Sequence, residues 1–491
     1  MTDAERLRRD AAGVLLPGFA GPVLPPWVAR RIADGMAGVC LFGENVGSPD
    51  ELRALTGGLR AARADAVIAI DEEGGDVTRL HARDGSPEPG NAVLGRLDDV
   101  ALTAASARRI GLALADAGIT LDFAPDADVN VNADNPVIGT RSFGDDAQRA
   151  ARHTAAWVRG LQSTGIAACA KHFPGHGDTA VDSHRGLPVV DVPMTVLEAR
   201  ELLPFVAAID AGVATIMTSH IVLPALDPAA PATMSRAILT GLLRGRLGFE
   251  GVIVSDALDM AGASGGIGIP AAAVRALAAG ADLLCIGTRN TDEQVGAIEA
   301  AILAAVDAGE LPAERLADAA RRVRGLGVGE LVGGADAPVD AARIAGTFDV
   351  RPEAARLLAG TEDWAVLRLE TEPNTAVGHA AWGPFAAVAA DPESPAARRF
   401  ASWPCIEVAP TDVLMHDGRR RRFLVVGRDH HRHPTSRAVI DALRTDGCDV
   451  VAVDLGWPSE DRRYADVATF GSSRAVGAAL LELLELLAGR G

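Results

Sequence analysis

Eight short apolar runs recur along the first 290 residues, and each is followed by polar residues and then by a helical pattern. Runs of this length without alternation are typical of strands that are buried on both faces, as in parallel sheets. The runs are Val14–Gly18, Gly38–Phe42, Ala66–Ile70, Ile119–Phe123, Ile166–Ala170, Thr215–Thr218, Val252–Ser255 and Asp282–Ile286. Eight strand–helix units predict a (β/α)8 TIM barrel, and a doubly wound parallel sheet is the competing fold.

The alternation pauses after a helix predicted at Pro312–Arg324, where the chain becomes rich in glycine, alanine and aspartate. A second alternation begins near Phe348, with strands predicted at Trp364–Glu370, Pro384–Ala390, Arg422–Val426 and Asp449–Asp454 and helices at Thr435–Arg444 and Arg474–Leu487. The sequence therefore predicts an α/β protein with a TIM-barrel domain over residues 1–325, a linker over 326–347 and a smaller α/β domain over 348–491.

Charge and composition exclude several classes of protein. The formal net charge of −18 argues against a nucleic-acid partner, because cations on the protein drive binding to phosphates. The sequence has no run of 18 uncharged apolar residues, so we expect no membrane-spanning helix. The charged first ten residues do not resemble a secretion signal, and five dispersed cysteines suit a reducing compartment. We therefore expect a cytoplasmic protein.

Polar residues after the predicted strands are the candidates for chemistry, because barrel active sites lie at the C-terminal strand ends. Strand ends are commonly polar in any protein, so no single one of these residues indicates a site. Together they bring acids, histidines and the only lysine of the chain to one end of one barrel. They are Asp71, Glu72, Glu73 and Arg79 after the third run, Asp126, Asp128, Asn130 and Arg141 after the fourth, Lys171 and His172 after the fifth, and Asp256 after the seventh.

The segment from Lys171 to His184 is the richest in reactive side chains and holds three of the eleven histidines. Its glycines and its proline disfavour a helix, so we expect a long shaped loop, which in a compact domain is usually functional. Asp182 lies two residues before His184, close enough for its carboxylate to hydrogen-bond the imidazole. A histidine with such a partner can act as a general acid and base near neutral pH.

A metal site is the competing interpretation of this loop. His172, His176, Asp178 and His184 are residue types that bind zinc. Their spacing matches no compact zinc motif, and no cysteine joins them. The sequence therefore favours a site without a metal.

The motifs of this region resemble those of glycoside hydrolase family 3 β-N-acetylglucosaminidases. Lys-His-Phe-Pro-Gly-His-Gly-Asp-Thr at 171–179, followed by Asp-Ser-His and Gly-Leu-Pro, is similar to the signature loop of that family. The similarity continues in GVCLFGEN (38–45), DFAPDAD (122–128), NPVIGTRSFG (135–144), LGFEGVIVSDALDM (247–260) and GADLLCIG (280–287). It covers most of residues 10–330, and the region after 350 resembles, more weakly, the α/β sandwich domain of longer members.

The resemblance implies a role for each matching residue. It implies that Asp256 is the nucleophile that forms a glycosyl-enzyme intermediate and that His184, supported by Asp182, is the acid/base. It implies sugar-hydroxyl binding by Asp71, Arg141, Lys171 and His172, with help from Arg79. Asp76 departs from the family pattern, because many members carry an arginine at that position.

The activity implied by the resemblance is that of a retaining exo-β-N-acetylglucosaminidase that needs no metal and no cofactor. Its expected substrates are muropeptides, in cell-wall recycling, or chito-oligosaccharides. A histidine in place of the usual second carboxylate leaves a phosphorylase open, because a neutral base does not repel phosphate, and the product would be a sugar 1-phosphate. A metal-dependent hydrolase and a carbohydrate-binding protein without catalysis are the other classes. We expect no nucleic-acid or membrane partner, and the sequence does not indicate an oligomeric state.

Overall fold

The computed structural model describes residues 2–179, 186–327, 334, 336–360, 364–371, 374, 376–410 and 421–489. Contacts between Cα atoms divide the chain into two units. The barrel unit comprises Met1–Glu72, Val100–Val129 and Asp145–Asp336, and the second unit comprises Glu73–Asp99, Asn130–Gly144 and Ala337–Gly491. A division in chain order at residues 325 and 348 stays a prediction. Two segments that come earlier in the chain, residues 73–99 and 130–144, belong to the same unit as the C-terminal third of the chain.

The described residues of the barrel unit form eight parallel strands. They are β1 Leu15–Pro17, β2 Gly38–Leu41, β3 Val67–Ile70, β4 Leu121–Asp122, β5 Ala167–Phe173, β6 Thr215–Thr218, β7 Val252–Ser255 and β8 Leu283–Gly287. Their order in the sheet is β1-β8-β7-β6-β5-β4-β3-β2, so each strand from β2 to β7 lies beside the strand that follows it in the chain, and β1 pairs with β8. A doubly wound sheet would reverse its order at a switch point. The predicted (β/α)8 barrel is therefore confirmed, and every strand residue is buried as the apolar runs required.

Helices follow the barrel strands and present one apolar face to them. In Pro49–Ala62, Ser48 and Glu51 form a capping box, and Leu52, Leu55 and Leu59 are the buried stripe. The other α-helices of this unit are Asp3–Ala12, Pro26–Asp34, Val100–Asp116, Ala147–Gln162, Met194–Ala199, Leu203–Asp210, Ala261–Ser264, Ile269–Ala279, Asp292–Asp307 and Ala313–Arg324, and residues Ala237–Arg246 form a π-helix.

The inside of the barrel is filled by small and medium-sized side chains from the strands. Cys40, Cys169 and Cys285 belong to this buried cluster, together with residues such as Leu121 and Val254. Burial raises the pKa of the Cys169 thiol to about 12, which keeps it protonated and unreactive. These three cysteines therefore act as packing residues.

In the described part of the second unit, six strands form a sheet that is covered by helices. Its strands are β9 Asp349–Val350, β10 Ala365–Leu369, β11 Cys405–Val408, β12 Arg422–Gly427, β13 Asp449–Asp454 and β14 Val467–Ala468, in the order β11-β10-β12-β13-β14-β9. Among the described strands of this sheet, only β9 is antiparallel to its neighbour. Its helices are Asn91–Leu97, Ala341–Ala345, Pro352–Leu358, Gly383–Ala390, Pro395–Ser402, Pro434–Thr445 and Arg474–Ala488.

The side chains of the second sheet alternate between two apolar clusters. Val366 packs with Leu480 of Arg474–Ala488, whereas Leu367 packs with Ile440 of Pro434–Thr445. Helices therefore cover both faces, which confirms the α/β sandwich. The strand predicted at Pro384–Ala390 is wrong, because this segment is a helix. Its Gly-Pro start suits the first helical turn, and its alanines favour a helix.

None of the helices in the described ranges combines the length and the apolar composition that crossing a bilayer requires.

Candidate active site

The only lysine of the chain is buried at the carboxyl end of β5. The side chain of Lys171 is 2% exposed, and its Nζ lies 2.6 Å from Oδ1 of Asp71, directly after β3. Asp122 ends the strand between them and is also fully buried. Burial raises the pKa of the Asp122 carboxyl well above its usual value, although a hydrogen bond from the Glu72 backbone opposes this shift. Two predicted sugar-binding residues, Asp71 and Lys171, are thus brought together.

Asp128 is the central acceptor of the loop that follows β5. Its Oδ2 lies 2.7 Å from Nδ1 of His172, and its Oδ1 accepts the backbone N–H of His176 at 2.6 Å. Burial on its own would raise the pKa of the Asp128 carboxyl, but His172 and His176 hold it below its usual value. An ionised carboxylate can only accept, so Nδ1 of His172 carries a proton, which fixes the orientation of this predicted sugar-binding ring.

The same cluster has the donor atoms of a metal site. Ligand atoms of Asp126, Asp128 and His172 all lie within 4.8 Å of one another. Oδ2 of Asp128 and Nδ1 of His172 already form a hydrogen bond, which an ion bound through both atoms would have to replace. The set considered from the sequence was His172, His176, Asp178 and His184. Nδ1 of His176 contacts Thr179 at 2.9 Å, Asp178 pairs with Arg200, and His184 lies outside the described residues, so that set stays untested.

The loop over residues 174–179 is held tightly against the barrel. A Cβ atom on Gly177 would lie 1.8 Å from the carbonyl oxygen of Val129, so only glycine fits there. Arg200 contacts Asp178 and Glu201, both at 2.6 Å. Burial raises the pKa of Glu201 to about 7, and the adjacent Arg200 opposes this shift only in part.

The loop leads into the proposed acid/base pair. Asp182 and His184 lie outside the described residues, so the structure places neither of them. Their roles stay predictions.

Asp256 follows β7 and is half-buried. Its Oδ1 accepts the backbone N–H of Ala257 at 2.8 Å. Its charge also reaches His176. Burial lowers the pKa of His176 to about 4, and the carboxylates of Asp128 and Asp256 offset only part of that shift. His176 is therefore neutral at physiological pH, and the predicted nucleophile lies within electrostatic range of the Asp128 cluster.

A hydrogen-bond network around the backbone of Asp256 and Ala257 was not predicted from the sequence. The backbone N–H of Asp256 donates to Oγ1 of Thr218 at 3.4 Å, and Thr218 contacts Oγ1 of Thr233 at 2.7 Å. Thr233 contacts Nδ1 of His220 at 2.9 Å, and Nε2 of His220 donates to the carbonyl of Ala257 at 3.0 Å. The network therefore holds the backbone on both sides of the Asp256 side chain. The one feature of the sequence that could have indicated this network is the polar end of the sixth apolar run, Thr218.

The two predicted arginines lie in the second unit. Arg141 forms a bidentate ion pair with Glu73, at 2.7 Å between Nη2 and Oε1 and 3.0 Å between Nε and Oε2. Arg79 donates to the carbonyl oxygens of Ala376 and Val377 at 2.7 and 2.9 Å. Both guanidinium groups are thus fixed in orientation, and their contacts with sugar stay predictions.

Comparisons with known proteins agree with the resemblance noted above. Residues 29–326 match the family described as Glycosyl hydrolase family 3 N terminal domain. A protein of Pseudoalteromonas piscicida named Beta-hexosaminidase A is 40% identical over an alignment of 293 positions, which covers 54% of this chain and 49% of that protein. The chain therefore matches about half the length of this relative.

Two solved structures extend the comparison. A glycoside hydrolase family 3 β-N-acetylglucosaminidase from Paenibacillus sp. str. FPU-7 is 29% identical and superimposes with a TM-score of 0.84 over 98% of this chain and 97% of that chain. A β-N-acetylhexosaminidase from Beutenbergia cavernae is 31% identical, with a TM-score of 0.58 over 65% of this chain and 98% of that chain. Since the family match spans more than half of the residues, this chain belongs to glycoside hydrolase family 3.

Proposed function

We propose that this protein is a retaining exo-β-N-acetylglucosaminidase that hydrolyses terminal N-acetylglucosamine from its substrates. The observation that carries the proposal is the cluster at the carboxyl ends of the barrel strands. Lys171 pairs with Asp71, Asp128 orients His172, and Asp256 follows β7 within electrostatic range of the same loop. The names of similar proteins, which include β-hexosaminidases and a β-N-acetylglucosaminidase, support the same activity.

In the first step the carboxylate of Asp256 attacks the anomeric carbon from the face opposite the leaving group. The bond from that carbon to the glycosidic oxygen breaks, and His184 donates its proton to this oxygen. The products are a glycosyl ester on Asp256, the free aglycone and a neutral imidazole. The Ala257 N–H that contacts Oδ1 fixes the direction of the attacking carboxylate.

In the second step the neutral His184 removes a proton from water while the water oxygen attacks the anomeric carbon. The ester bond to Asp256 breaks, so the carboxylate is regenerated and the sugar leaves with its original β configuration. Asp182 orients the imidazole and stabilises its protonated form. This pair works without a metal ion and without a cofactor.

We assign sugar binding to side chains whose donor atoms are held in fixed directions. Lys171 supplies ammonium donors beside the Asp71 carboxylate, and His172 is held by Asp128 with its ring in one orientation. Arg79 and Arg141 supply further donors to hydroxyl groups. A charged donor next to a charged acceptor suits a polyhydroxylated ring, whose hydroxyls both donate and accept.

The substrates we propose are small glycans, either muropeptides from cell-wall recycling or chito-oligosaccharides. We place the activity in the cytoplasm, where buried thiols such as Cys40 and Cys448 stay reduced. Phosphate in place of water would make the enzyme a phosphorylase that yields N-acetylglucosamine 1-phosphate. The neutral imidazole of His184 is compatible with either acceptor, and we favour water.

Trapping of the intermediate tests this proposal. The variant His184→Ala reacts with an aryl β-N-acetylglucosaminide, whose good leaving group needs no proton, and then lacks the base for the second step. Mass spectrometry should find one N-acetylhexosamine residue on the protein, on the peptide that contains Asp256. The matched variant His184→Ala/Asp256→Asn should carry no sugar. An adduct on another residue, or full activity of Asp256→Asn, would overturn the proposal.

A further inference from the structure

The segment that carries Arg141 is anchored to the C-terminal third of the chain at several points. Asn374 donates its side-chain amide to the carbonyl of Pro136 at 2.7 Å and to that of Val137 at 3.3 Å. Arg432 donates to the carbonyl of Asn135 at 3.1 Å. The guanidinium of Arg141 itself donates to the carbonyl of Val137 at 3.1 Å. Asn374 and Arg141 therefore share one acceptor, and the position of either group constrains the other.

Asp76 makes a further anchor beside Arg141. Its Oδ2 accepts the hydroxyl of Thr140 at 2.7 Å, and Thr140 is the neighbour of Arg141 in the short helical turn Gly139–Arg141. Its Oδ1 accepts both the backbone N–H of Ser472 at 2.7 Å and the hydroxyl of Ser472 at 2.9 Å. One carboxylate thus connects the Arg141 turn to a residue of the C-terminal third that is 2% exposed.

The chemistry of this bridge requires an acceptor at position 76. Each of the three groups that contact the carboxylate acts as a donor, and a carboxylate is acceptor-only. An arginine has donors only and could not accept any of these hydrogen bonds. Asp76 and Ser472 therefore form one acceptor–donor pair that links the two segments.

The other predicted arginine is held in the same way. Arg79 lies three residues after Asp76, and its two Nη atoms donate to the carbonyls of Ala376 and Val377. These acceptors follow closely after Asn374, which anchors the Arg141 segment. Three residues of the C-terminal third, Asn374, Ala376 and Val377, thus contact the two arginine-bearing segments.

We propose that the C-terminal third of this chain is a positioning scaffold for the sugar-binding arginines, and that Asp76 is the positioning residue that links it to Arg141. The inference rests on the proposed function, because it assigns the purpose of the scaffold to sugar binding by Arg141. A group that is fixed before the substrate arrives loses less conformational freedom on binding. The scaffold therefore lowers KM and acts on kcat only through the placement of the sugar.

Kinetics of matched variants test the proposal. In Asp76→Ala, kcat/KM on an aryl β-N-acetylglucosaminide should fall about 30-fold, mainly through KM, because a binding group displaced by about 1 Å can cost up to about a hundredfold. Asp76→Asn keeps an acceptor for Ser472 and can donate to the Thr140 hydroxyl, so it should stay within about threefold of wild type. Asp84→Ala is the control. It breaks an exposed pair with Arg474 that also joins the C-terminal third, and it should change kcat/KM less than about twofold.

A double-mutant cycle separates positioning from general damage. In the Arg141→Ala background, Asp76→Ala should lower kcat/KM by less than about twofold further, because the residue through which it acts is gone. If Asp76→Ala instead has its full effect in that background, or has none in the wild type, the proposal is overturned. If Asp76→Ala does not fold, Thr140→Val and Asn374→Ala replace it in the double-mutant cycle with Arg141→Ala.

Hydrogen–deuterium exchange gives a readout that needs no turnover. Backbone amides of residues 135–142 should exchange about tenfold faster in Asp76→Ala than in wild type. In Asp84→Ala their exchange rates should equal those of wild type. Unchanged exchange in Asp76→Ala would overturn the scaffold. A wild type that binds and cleaves no β-N-acetylglucosaminide, but shows the exchange effect, would instead refute the proposed function and leave the scaffold intact.

Discussion

The ion pair between Glu73 and Arg141 permits a quantitative prediction. Its side chains are only 2% and 4% exposed, and two hydrogen bonds join them. In Glu73→Gln the shape is kept, but the negative charge is removed and the guanidinium stays buried without the Glu73 carboxylate. Removing one partner of a buried pair costs about 3–5 kcal/mol, because the remaining charge has lost its water and its counter-charge.

The expected change in melting temperature follows from the size of the unit. Domains of about 150–250 residues shift by roughly 2–4 °C for each kcal/mol. About 4 kcal/mol therefore predicts a decrease of roughly 8–16 °C in the transition of the second unit. The exposed pair of Glu353 and Arg356 is the matched control, since its side chains are 70% and 73% exposed. Glu353→Gln should lower the melting temperature by less than about 2 °C.

Differential scanning calorimetry measures this prediction, because it can resolve the transitions of a two-unit protein. The double variant Glu73→Gln/Arg141→Met should recover about half of the loss, since no buried charge of this pair remains. A melting temperature of Glu73→Gln within about 2 °C of wild type would refute the reasoning. A double variant that is less stable than Glu73→Gln would refute the assignment of the loss to the buried charge.

Further predictions concern the hydrogen-bond network around the Asp256 backbone, the buried Glu201 carboxyl and the expected independence from a metal. His220→Asn loses the donor to the Ala257 carbonyl and should lower kcat about 30-fold with little change in KM. His220→Gln keeps a donor near that position, so its kcat should fall by less than about fivefold. Equal losses of kcat in the two variants would contradict a role of His220 in positioning Asp256. The folded pKa of Glu201, about 7, lies above its unfolded value, so the folded state holds the proton more tightly and stability decreases as pH rises from about 4.5 to about 7. Glu201→Gln removes this penalty of about 3 kcal/mol, so its melting temperature relative to wild type should be higher at pH 8 than at pH 5, and a pH-independent difference would refute the buried-acid explanation. Dialysis against a chelator should leave kcat/KM unchanged within about twofold, and a loss that zinc restores would favour a metal-dependent hydrolase.

The barrel was predictable because each strand is a separate, continuous apolar run. Thr215–Thr218 and Val252–Ser255 have the predicted ends, and Ala167–Phe173 differs because it continues past its apolar part into Lys171 and His172. The second sheet was harder. Its strands β9 and β14 have two residues each, and three of the four residues of β11 are exposed, so none of them carries a periodic apolar signal.

The grouping of candidate site residues was predictable where polar residues follow directly after an apolar run, as for Asp71 and Lys171. It was not predictable where partners are distant in the chain. Asp76 and Ser472 are 396 residues apart, and no local pattern connects them. His220 was overlooked because its neighbours in sequence, a serine and an isoleucine, gave it no obvious partner, and its role emerges only when Thr233 and Ala257 lie beside it.

The central claim is that water, and not phosphate, cleaves a glycosyl ester on Asp256 with retention of configuration. Proton and phosphorus NMR of the first product from an aryl β-N-acetylglucosaminide in phosphate buffer tests it most directly. The account predicts free N-acetylglucosamine that appears first as the β anomer and later mutarotates. An α anomer formed first would contradict the covalent intermediate, and N-acetylglucosamine 1-phosphate would identify a phosphorylase.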